Sequence, residues 1–261
     1  MRQSKILKKI RSGRPALLAH MGYFVPPFVA YAAQAGYDGI WLDLEHHAMD
    51  AREVQALQAF FHRYDVDCML RPSTREKGQL YRYLEDGVTG LLIPHVSDAQ
   101  TAIELVNKVK FPPIGDRGVG GFGFEANFGI DIEGSVRELI EHANRETFLF
   151  LQIETPEGLA SVEAIAAVAG IDGLFIGPFD LSIRMEHLPE KERIPYTETV
   201  RRVAQACHKY GKAWGSFTTQ LDDVQANLGH GAQIISLGAD FLVLKEGLAR
   251  WGKALAEIIE K

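Results

Sequence analysis

Two acids stand at corresponding places in the segments Gln152-Ile153-Glu154-Thr155-Pro156 and Ile176-Gly177-Pro178-Phe179-Asp180-Leu181-Ser182. Each follows a nearly unbroken apolar run, Phe148-Leu149-Phe150-Leu151 or Gly173-Leu174-Phe175-Ile176, of the kind that forms parallel strands covered on both faces. The intervening stretch 156–169 predicts a helix, with Pro156 in its first turn and Leu159, Val162, Ile165 and Val168 along one stripe. A β-α-β unit of this kind brings both strand carboxyl ends to the same side. Glu154 and Asp180 then become neighbours able to share a hard divalent cation such as Mg2+ or Mn2+, which takes oxygen ligands. Neither a His nor a Cys is placed beside either acid, which argues against zinc.

Other candidate strand ends carry groups that suit the same site. One ends in Asp43-Leu44-Glu45-His46-His47 and the next in Arg71-Pro72-Ser73. A cation held by two carboxylates leaves positions for a 2-oxo acid, which can chelate it through its carboxylate and keto oxygen. Polarising that carbonyl acidifies the adjacent carbon, and the fixed fork of Arg71 would stabilise the oxygen that becomes an enolate. Histidine is the side chain suited to proton transfer near neutral pH, so His46 is the natural acid and base. The competing reading makes Arg71 an ion-pair partner of Glu45 or Asp43, and Glu154 and Asp180 parts of salt bridges. His20, His95 and Lys245 fall near strand ends with nothing in the sequence to give them a role beyond lining the mouth.

The elements that must position these groups repeat along the chain. Short apolar runs at 16–20, 39–44, 67–71, 90–94, 148–154, 173–177, 212–216 and 240–244 alternate with helical patterns. Eight such units in 261 residues predict a (β/α)8 barrel, with the active site at the carboxyl ends of the strands. The first strand lacks a following GxGxxG, which disfavours a doubly wound nucleotide-binding sheet. No Ser/Gly/Pro-rich linker interrupts the chain, so one domain over 1–261 is expected. The glycine-rich stretch 111–132 is the one long irregular segment, of the kind that serves function or an interface. Its aromatics, with Tyr23, Phe24 and Phe28, read as packing or subunit contact.

A net charge of -6 without a basic stripe makes nucleic acid or an anionic membrane surface a poor partner and favours a small substrate. Segment 1–13 reads as a basic amphipathic helix without the apolar centre of a secretion signal, and no stretch is long enough to span a membrane. Cys68 and Cys207 form neither a disulfide framework nor a CxxC pair and read as core filling. A cytoplasmic enzyme is the expectation.

At these residues the chain resembles the HpcH/HpaI aldolases, metal-dependent pyruvate aldolases that cleave 4-hydroxy-2-oxo acids. The resemblance runs over nearly the whole chain. It rests on Asp43-x-Glu45-His46, Arg71-Pro72-Ser73, Leu91-Leu92-Ile93-Pro94, Pro112-Pro113-x-Gly115-x-Arg117-Gly118 and the Glu154 and Asp180 segments, in that order. It implies a barrel of the phosphoenolpyruvate/pyruvate type in which Glu154 and Asp180 bind Mg2+, Mn2+ or Co2+ and Arg71 stabilises the enolate of pyruvate or hydroxypyruvate. It further implies that His46 belongs to the acid/base pair, and that Gln152 and the backbone around Gly177, Phe179 and Asp180 hold the 2-oxo acid while an aldehyde leaves. A homo-oligomer, commonly a hexamer with a swapped C-terminal helix, is implied as well. Related readings are a lyase acting on malyl- or citramalyl-CoA, for which no basic segment suits the CoA phosphates, and a silent barrel that only binds 2-oxo acids.

Some positions depart from the family pattern. An acid before the glycine that precedes strand four supports the family's histidine. The segment Leu84-Glu85-Asp86-Gly87 puts Glu85 in that register, with Asp86 as the alternative. His46 is followed by a second histidine, His47, where the family has small residues, and Leu244-Lys245-Glu246 is expected to close the last strand with bulkier groups than usual.

Overall fold

The computed structural model describes residues 1–132 and 135–260. Its strands are β1 (Ala16–Met21), β2 (Gly39–Asp43), β3 (Asp67–Arg71), β4 (Gly90–Ile93), β5 (Phe148–Ile153), β6 (Gly173–Ile176), β7 (Ala213–Phe217) and β8 (Ile234–Ala239). All neighbours pair in parallel in sequence order, and β8 returns to β1 with Ala16 opposite Ile234, closing the barrel. The fold is a (β/α)8 TIM barrel, as the alternation predicts. The register places Asp43 opposite Arg71 and Ile153 opposite Ile176, so the polar residues that follow these strands emerge on one rim.

The helices are α1 (Lys5–Arg11), α2 (Pro26–Gln34), α3 (Ala51–Arg63), α4 (Lys77–Glu85), α5 (Ala99–Val109), α6 (Val136–Glu146), α7 (Pro156–Ala160), α8 (Val162–Ala166), α9 (Pro178–Glu186), α10 (Tyr196–Lys209), α11 (Leu221–Gly229) and α12 (Asp240–Ile259). The helix expected over 156–169 breaks at Ser161 (φ -95°, ψ 5°) into α7 and α8. Within the expected loop at 111–132, residues Phe124–Ile132 wind into 3-10 turns around left-handed Asn127, Phe128 and Gly129.

Apolar residues divide between two cores. One fills the space between the barrel and its helices, from Val29 and Leu57 around to Val203 and Trp214. The other fills the lumen with Leu18, Trp41, Met69, Leu92, Phe148, Phe150, Phe175 and Ile234. Gly90 makes room there, since a Cβ on it would lie 2.1 Å from the Phe148 ring. The amino-terminal end of the lumen is plugged by α1, whose Ile6 and Leu7 are buried against these aromatics. Asp67, the first residue of β3, anchors the plug: its buried carboxylate accepts from Ser4 Oγ at 2.6 Å, the Ile6 amide at 2.8 Å and Arg2 Nη2 at 2.7 Å.

The eighth strand corrects the sequence expectation. Residues 240–244 form the start of α12, and β8 is the preceding Ile-Ile-Ser-Leu-Gly-Ala run. Lys245 therefore lies exposed on α12 instead of closing a strand at the mouth. Asp240 caps the turn into this helix from inside, accepting from the Gly22 and Tyr23 amides at 3.0 and 3.1 Å. Beyond that anchor α12 shows Leu248, Trp251, Leu255 and Ile258 to the outside, each more than half exposed. No helix among the described residues is long and apolar enough to cross a membrane.

Candidate active site

A cavity of about 300 Å³ opens at the carboxyl ends of the strands, lined by His20, Trp41, Asp43, His46, His47, Arg71, Gln152, Phe175, Gly177, Phe179, Asp180 and Phe217 among others. A larger cleft of about 930 Å³ lies apart from it, beside Tyr81, Glu85, Gly120 and Phe124. The smaller cavity is the candidate site, because it gathers buried ionisable groups where this fold places its chemistry.

Arg71 is its centre. The last residue of β3 is buried, and its guanidinium lies 4.6 Å from the Trp41 ring. Nε and Nη2 donate to Asp43 Oδ1 and Oδ2, each at 2.7 Å, while Nη1 lies 2.9 Å from Glu45 Oε2 and donates to Gln152 Oε1 at 3.5 Å. Burial alone would raise the Asp43 carboxyl, but hydrogen bonds from His20 and Arg71, the Arg71 charge and the Glu45 amide hold it well below the usual range. The ion-pair alternative for Arg71 and its placement in the site thus describe the same side chain.

Glu154 emerges buried from β5. Its Oε1 accepts from the His95 amide at 2.7 Å and its Oε2 from the Gln152 side-chain amide. Burial pushes its carboxyl up; the charges of Glu45 and Asp180 add to this, and His95 opposes it. Asp180 sits in the first turn of α9, 40% exposed, with Arg184 Nη2 3.9 Å away. Gly177 lies between these acids at the helix N-cap, where a Cβ would come within 2.5 Å of Glu154 Oε2 and 2.6 Å of Gln152 Nε2.

His95 corrects the expectation that no histidine stands beside Glu154. It follows β4 in a left-handed conformation (φ 57°), which returns its ring to the site. There Nε2 lies 2.9 Å from Glu45 Oε1 and Nδ1 2.9 Å from Glu154 Oε1, so that Glu45, His95 and Glu154 offer ligand atoms to one point. The only signal in sequence was its position directly after Leu91-Leu92-Ile93-Pro94. His20 is likewise drawn in, 3.6 Å from Asp43 Oδ2, and His47 Nδ1 is 3.0 Å from the same oxygen.

Two expected residues stand differently. His46 lies on the cavity wall with 57% of its side chain exposed and its closest acid, Glu45, 3.9 Å off. Glu85 ends α4 and lines the larger cleft, 4.0 Å from Arg82, with Asp86 bonded to Gln55, so neither acid is brought to His46 within the chain.

The donor set fits a divalent cation. Glu154 is a buried carboxylate without an Arg or Lys partner, Asp180 projects to the same rim, and the buried Nδ1 of His95 lacks a hydrogen bond among the described residues. Oxygen donors beside an imidazole suit Mg2+ or Mn2+ and admit softer first-row ions.

Residues 21–246 match the HpcH/HpaI aldolase/citrate lyase family. A hydroxypyruvate/pyruvate aldolase of Pseudomonas aeruginosa is 32% identical over 248 residues, covering 94% of this chain and 90% of the relative. A 2-keto-3-deoxy-L-rhamnonate aldolase of Klebsiella pneumoniae is 31% identical, covering 84% of this chain and 80% of its own. The crystal structure of an HpcH/HpaI aldolase from Desulfitobacterium hafniense superimposes with a TM-score of 0.87 at 28% identity, covering 96% of both chains. With the barrel, the Arg71 clamp and the Glu154 rim already in place, this match over most of its length makes the chain a member of the HpcH/HpaI aldolase/citrate lyase family.

Proposed function

We propose that the chain is a metal-dependent aldolase, a carbon-carbon lyase that reversibly splits a 4-hydroxy-2-oxo acid into pyruvate or hydroxypyruvate and an aldehyde. The observation that carries this reading is the fixed guanidinium of Arg71 on the same cavity as the Asp180 carboxylate and as Gln152, whose side-chain amide donates to Glu154. A cation held by Glu154 and Asp180 supplies Lewis-acid polarisation of the 2-oxo carbonyl. The remaining work falls to the chain. Arg71, immobilised by Asp43, lies ready to stabilise the charge that develops on the enolate oxygen. Gln152, whose amide is oriented by Arg71 on one side and Glu154 on the other, directs a polar group at the 2-oxo acid. The first turn of α9 presents the free backbone N–H groups of Phe179 and Asp180, beyond Gly177 and Pro178, to its carboxylate. An imidazole on the cavity wall moves the proton between the 4-hydroxyl and the carbon from which the aldehyde departs. The Phe179 and Phe217 rings, 6.1 Å apart at the mouth, border the space left for the aldehyde.

We further propose a homo-oligomer in which the exposed apolar face of α12 is covered by another copy, since Leu248, Trp251, Leu255 and Ile258 are each more than half exposed along one helix. A hexamer would accord with the resemblance, and it would let Glu85 support a histidine of a neighbouring chain. Two buried free cysteines accord with a cytoplasmic location. The test of the reading is exchange of pyruvate methyl protons with D2O. EDTA should abolish it and Mg2+, Mn2+ or Co2+ should restore it; exchange that persists under chelation overturns the metal-dependent aldolase.

A further inference from the structure

A second cavity of about 190 Å³ lies beside the first, and the Phe179 and Phe217 rings line both. Its outer wall is polar. Tyr196 opens α10, Thr218 and Thr219 follow β7, and Asp223 sits in the first turn of α11. The hydrogen bonds around this wall use up its protons. Buried Ser216 Oγ donates toward two carbonyls, Phe217 O at 3.2 Å and Ile176 O at 3.4 Å. A hydroxyl has one proton, so toward Tyr196 Oη, 2.9 Å away, Ser216 is the acceptor and the phenol the donor. Burial pushes the Tyr196 phenol up and the Asp223 charge adds to this against the bond to Ser216, so the phenol keeps that proton. Thr218 Oγ1 likewise donates to Ser236 O at 3.1 Å. Asp223 carries a carboxylate, able only to accept, and has no Lys or Arg partner among the described residues. Only Thr219, at the exposed edge, has a hydroxyl proton left to give. The wall thus offers oxygen lone pairs and a negative charge, which suit hydroxyl groups and repel a carboxylate.

We propose that this second cavity receives the far end of the aldehyde, and that Tyr196 and Asp223 select a neutral hydroxylated aldehyde over one that ends in a carboxylate. The carbonyl carbon faces the enolate in the first cavity, and the chain behind it passes the Phe179 and Phe217 rings. Its carbons lie against those rings, while its outer hydroxyls donate to Tyr196 Oη and to the Asp223 carboxylate. Neither residue touches a bond that forms or breaks. They decide which acceptor is held long enough to react. In the cleavage direction the same wall favours a 4-hydroxy-2-oxo acid that is hydroxylated beyond C4 over one with a second carboxylate at its far end.

The inference rests on the aldolase reading, and a comparison of aldehydes separates the two. Condensation of pyruvate with propanal, glyceraldehyde and succinic semialdehyde under saturating Mn2+ gives kcat/KM for each aldehyde in wild type, Asp223→Asn and Tyr196→Phe. Ratios taken within one protein cancel any general loss of activity. Wild type should favour glyceraldehyde over propanal by about ten- to a hundredfold, and over succinic semialdehyde at least as strongly. Asp223→Asn removes the charge and supplies an amide donor, so the ratio of succinic semialdehyde to glyceraldehyde should rise about tenfold or more. Tyr196→Phe should narrow the preference for glyceraldehyde over propanal about three- to tenfold, chiefly through KM. A wild type that does not prefer glyceraldehyde to succinic semialdehyde overturns the inference, as do variants whose ratios stay within about twofold of wild type. Either outcome leaves the aldolase standing so long as pyruvate exchange in D2O requires the metal. Wild type without metal-dependent exchange overturns both.

Discussion

Arg71 and Asp43, the last residues of adjacent strands, face each other across the β2–β3 pair in a two-point clamp, Nε to Oδ1 and Nη2 to Oδ2, both 2.7 Å. Parallel register alone puts them opposite, and burial of both makes the pair strong only while both partners are present. The clamp leaves the guanidinium plane no freedom to rotate toward water, so its charge is held ready for the reaction instead of being recruited during it.

Replacing Arg71 by Lys keeps a positive charge and removes the fork. The expected outcome is a fall of about a hundred- to a thousand-fold in enolate formation, with far less effect on half-saturation by pyruvate. Steady-state cleavage and D2O exchange read this directly; a variant with near-wild-type rate removes Arg71 from the reaction.

Asp43 sets a pH signature. Its carboxyl is held well below the ordinary range, burial being outweighed by hydrogen bonds from His20 and Arg71 and by the Arg71 charge. A carboxyl depressed on folding contributes stability that is complete above its unfolded value, about 3.9, and is lost as pH falls through the folded value. Asp43→Asn should therefore cost about 3–5 kcal/mol at neutral pH, where it strands the Arg71 charge. Its deficit should stay constant above about pH 5 and narrow on acidification below about pH 4. Urea midpoints of the two proteins, followed from neutral pH to below about pH 4, test the sign.

Gly177 packs against the carboxylate that the proposed metal needs. Its backbone angles (φ -91°, ψ 90°) suit any residue, so the cost of Gly177→Ala is steric: the new Cβ meets Glu154 Oε2 and Gln152 Nε2. Metal affinity should weaken about ten- to a hundred-fold while the melting temperature without metal changes little. Calorimetric titration with Mn2+ measures the first and thermal melts in EDTA the second.

The lumen plug offers a control far from the chemistry. Ile6 is fully buried against the barrel aromatics, and Ile6→Ala should destabilise by about 2–5 kcal/mol. Exchange rates at a temperature where the variant is folded should match wild type; a specific loss of rate would show that the plug reaches the site.

The barrel was legible where strands announced themselves by burial on both faces: Phe148-Leu149-Phe150-Leu151 admits little else. Strand eight was not, because Ile234–Ala239 contains Ser236 and Gly238 while the more apolar Phe241-Leu242-Val243-Leu244 belongs to an exposed helix. A short apolar run does not distinguish a covered strand from an amphipathic helix whose face is left outside. Arg71, Glu154 and Asp180 could be expected on one rim because strand ends of a barrel point one way. His95 could not, since it takes a left-handed turn after Pro94 to bring the ring back to Glu154, and no composition rule encodes that. Glu85, expected from register along the sequence to support His46, lies within this chain in another cleft.

The Asp67-anchored plug at the foot of the barrel has a consequence for kinetic order. A lumen stopped at one end by Ile6 and Leu7 is a vessel with a single opening, and the groups proposed to hold the 2-oxo acid, Arg71 and Gln152, are buried below the exposed ring of Phe179. In the condensation direction the 2-oxo acid must therefore arrive before the aldehyde, and in cleavage it must leave after it. Product-inhibition patterns should be those of an ordered enzyme, with the 2-oxo acid competing for the free form and the aldehyde never doing so.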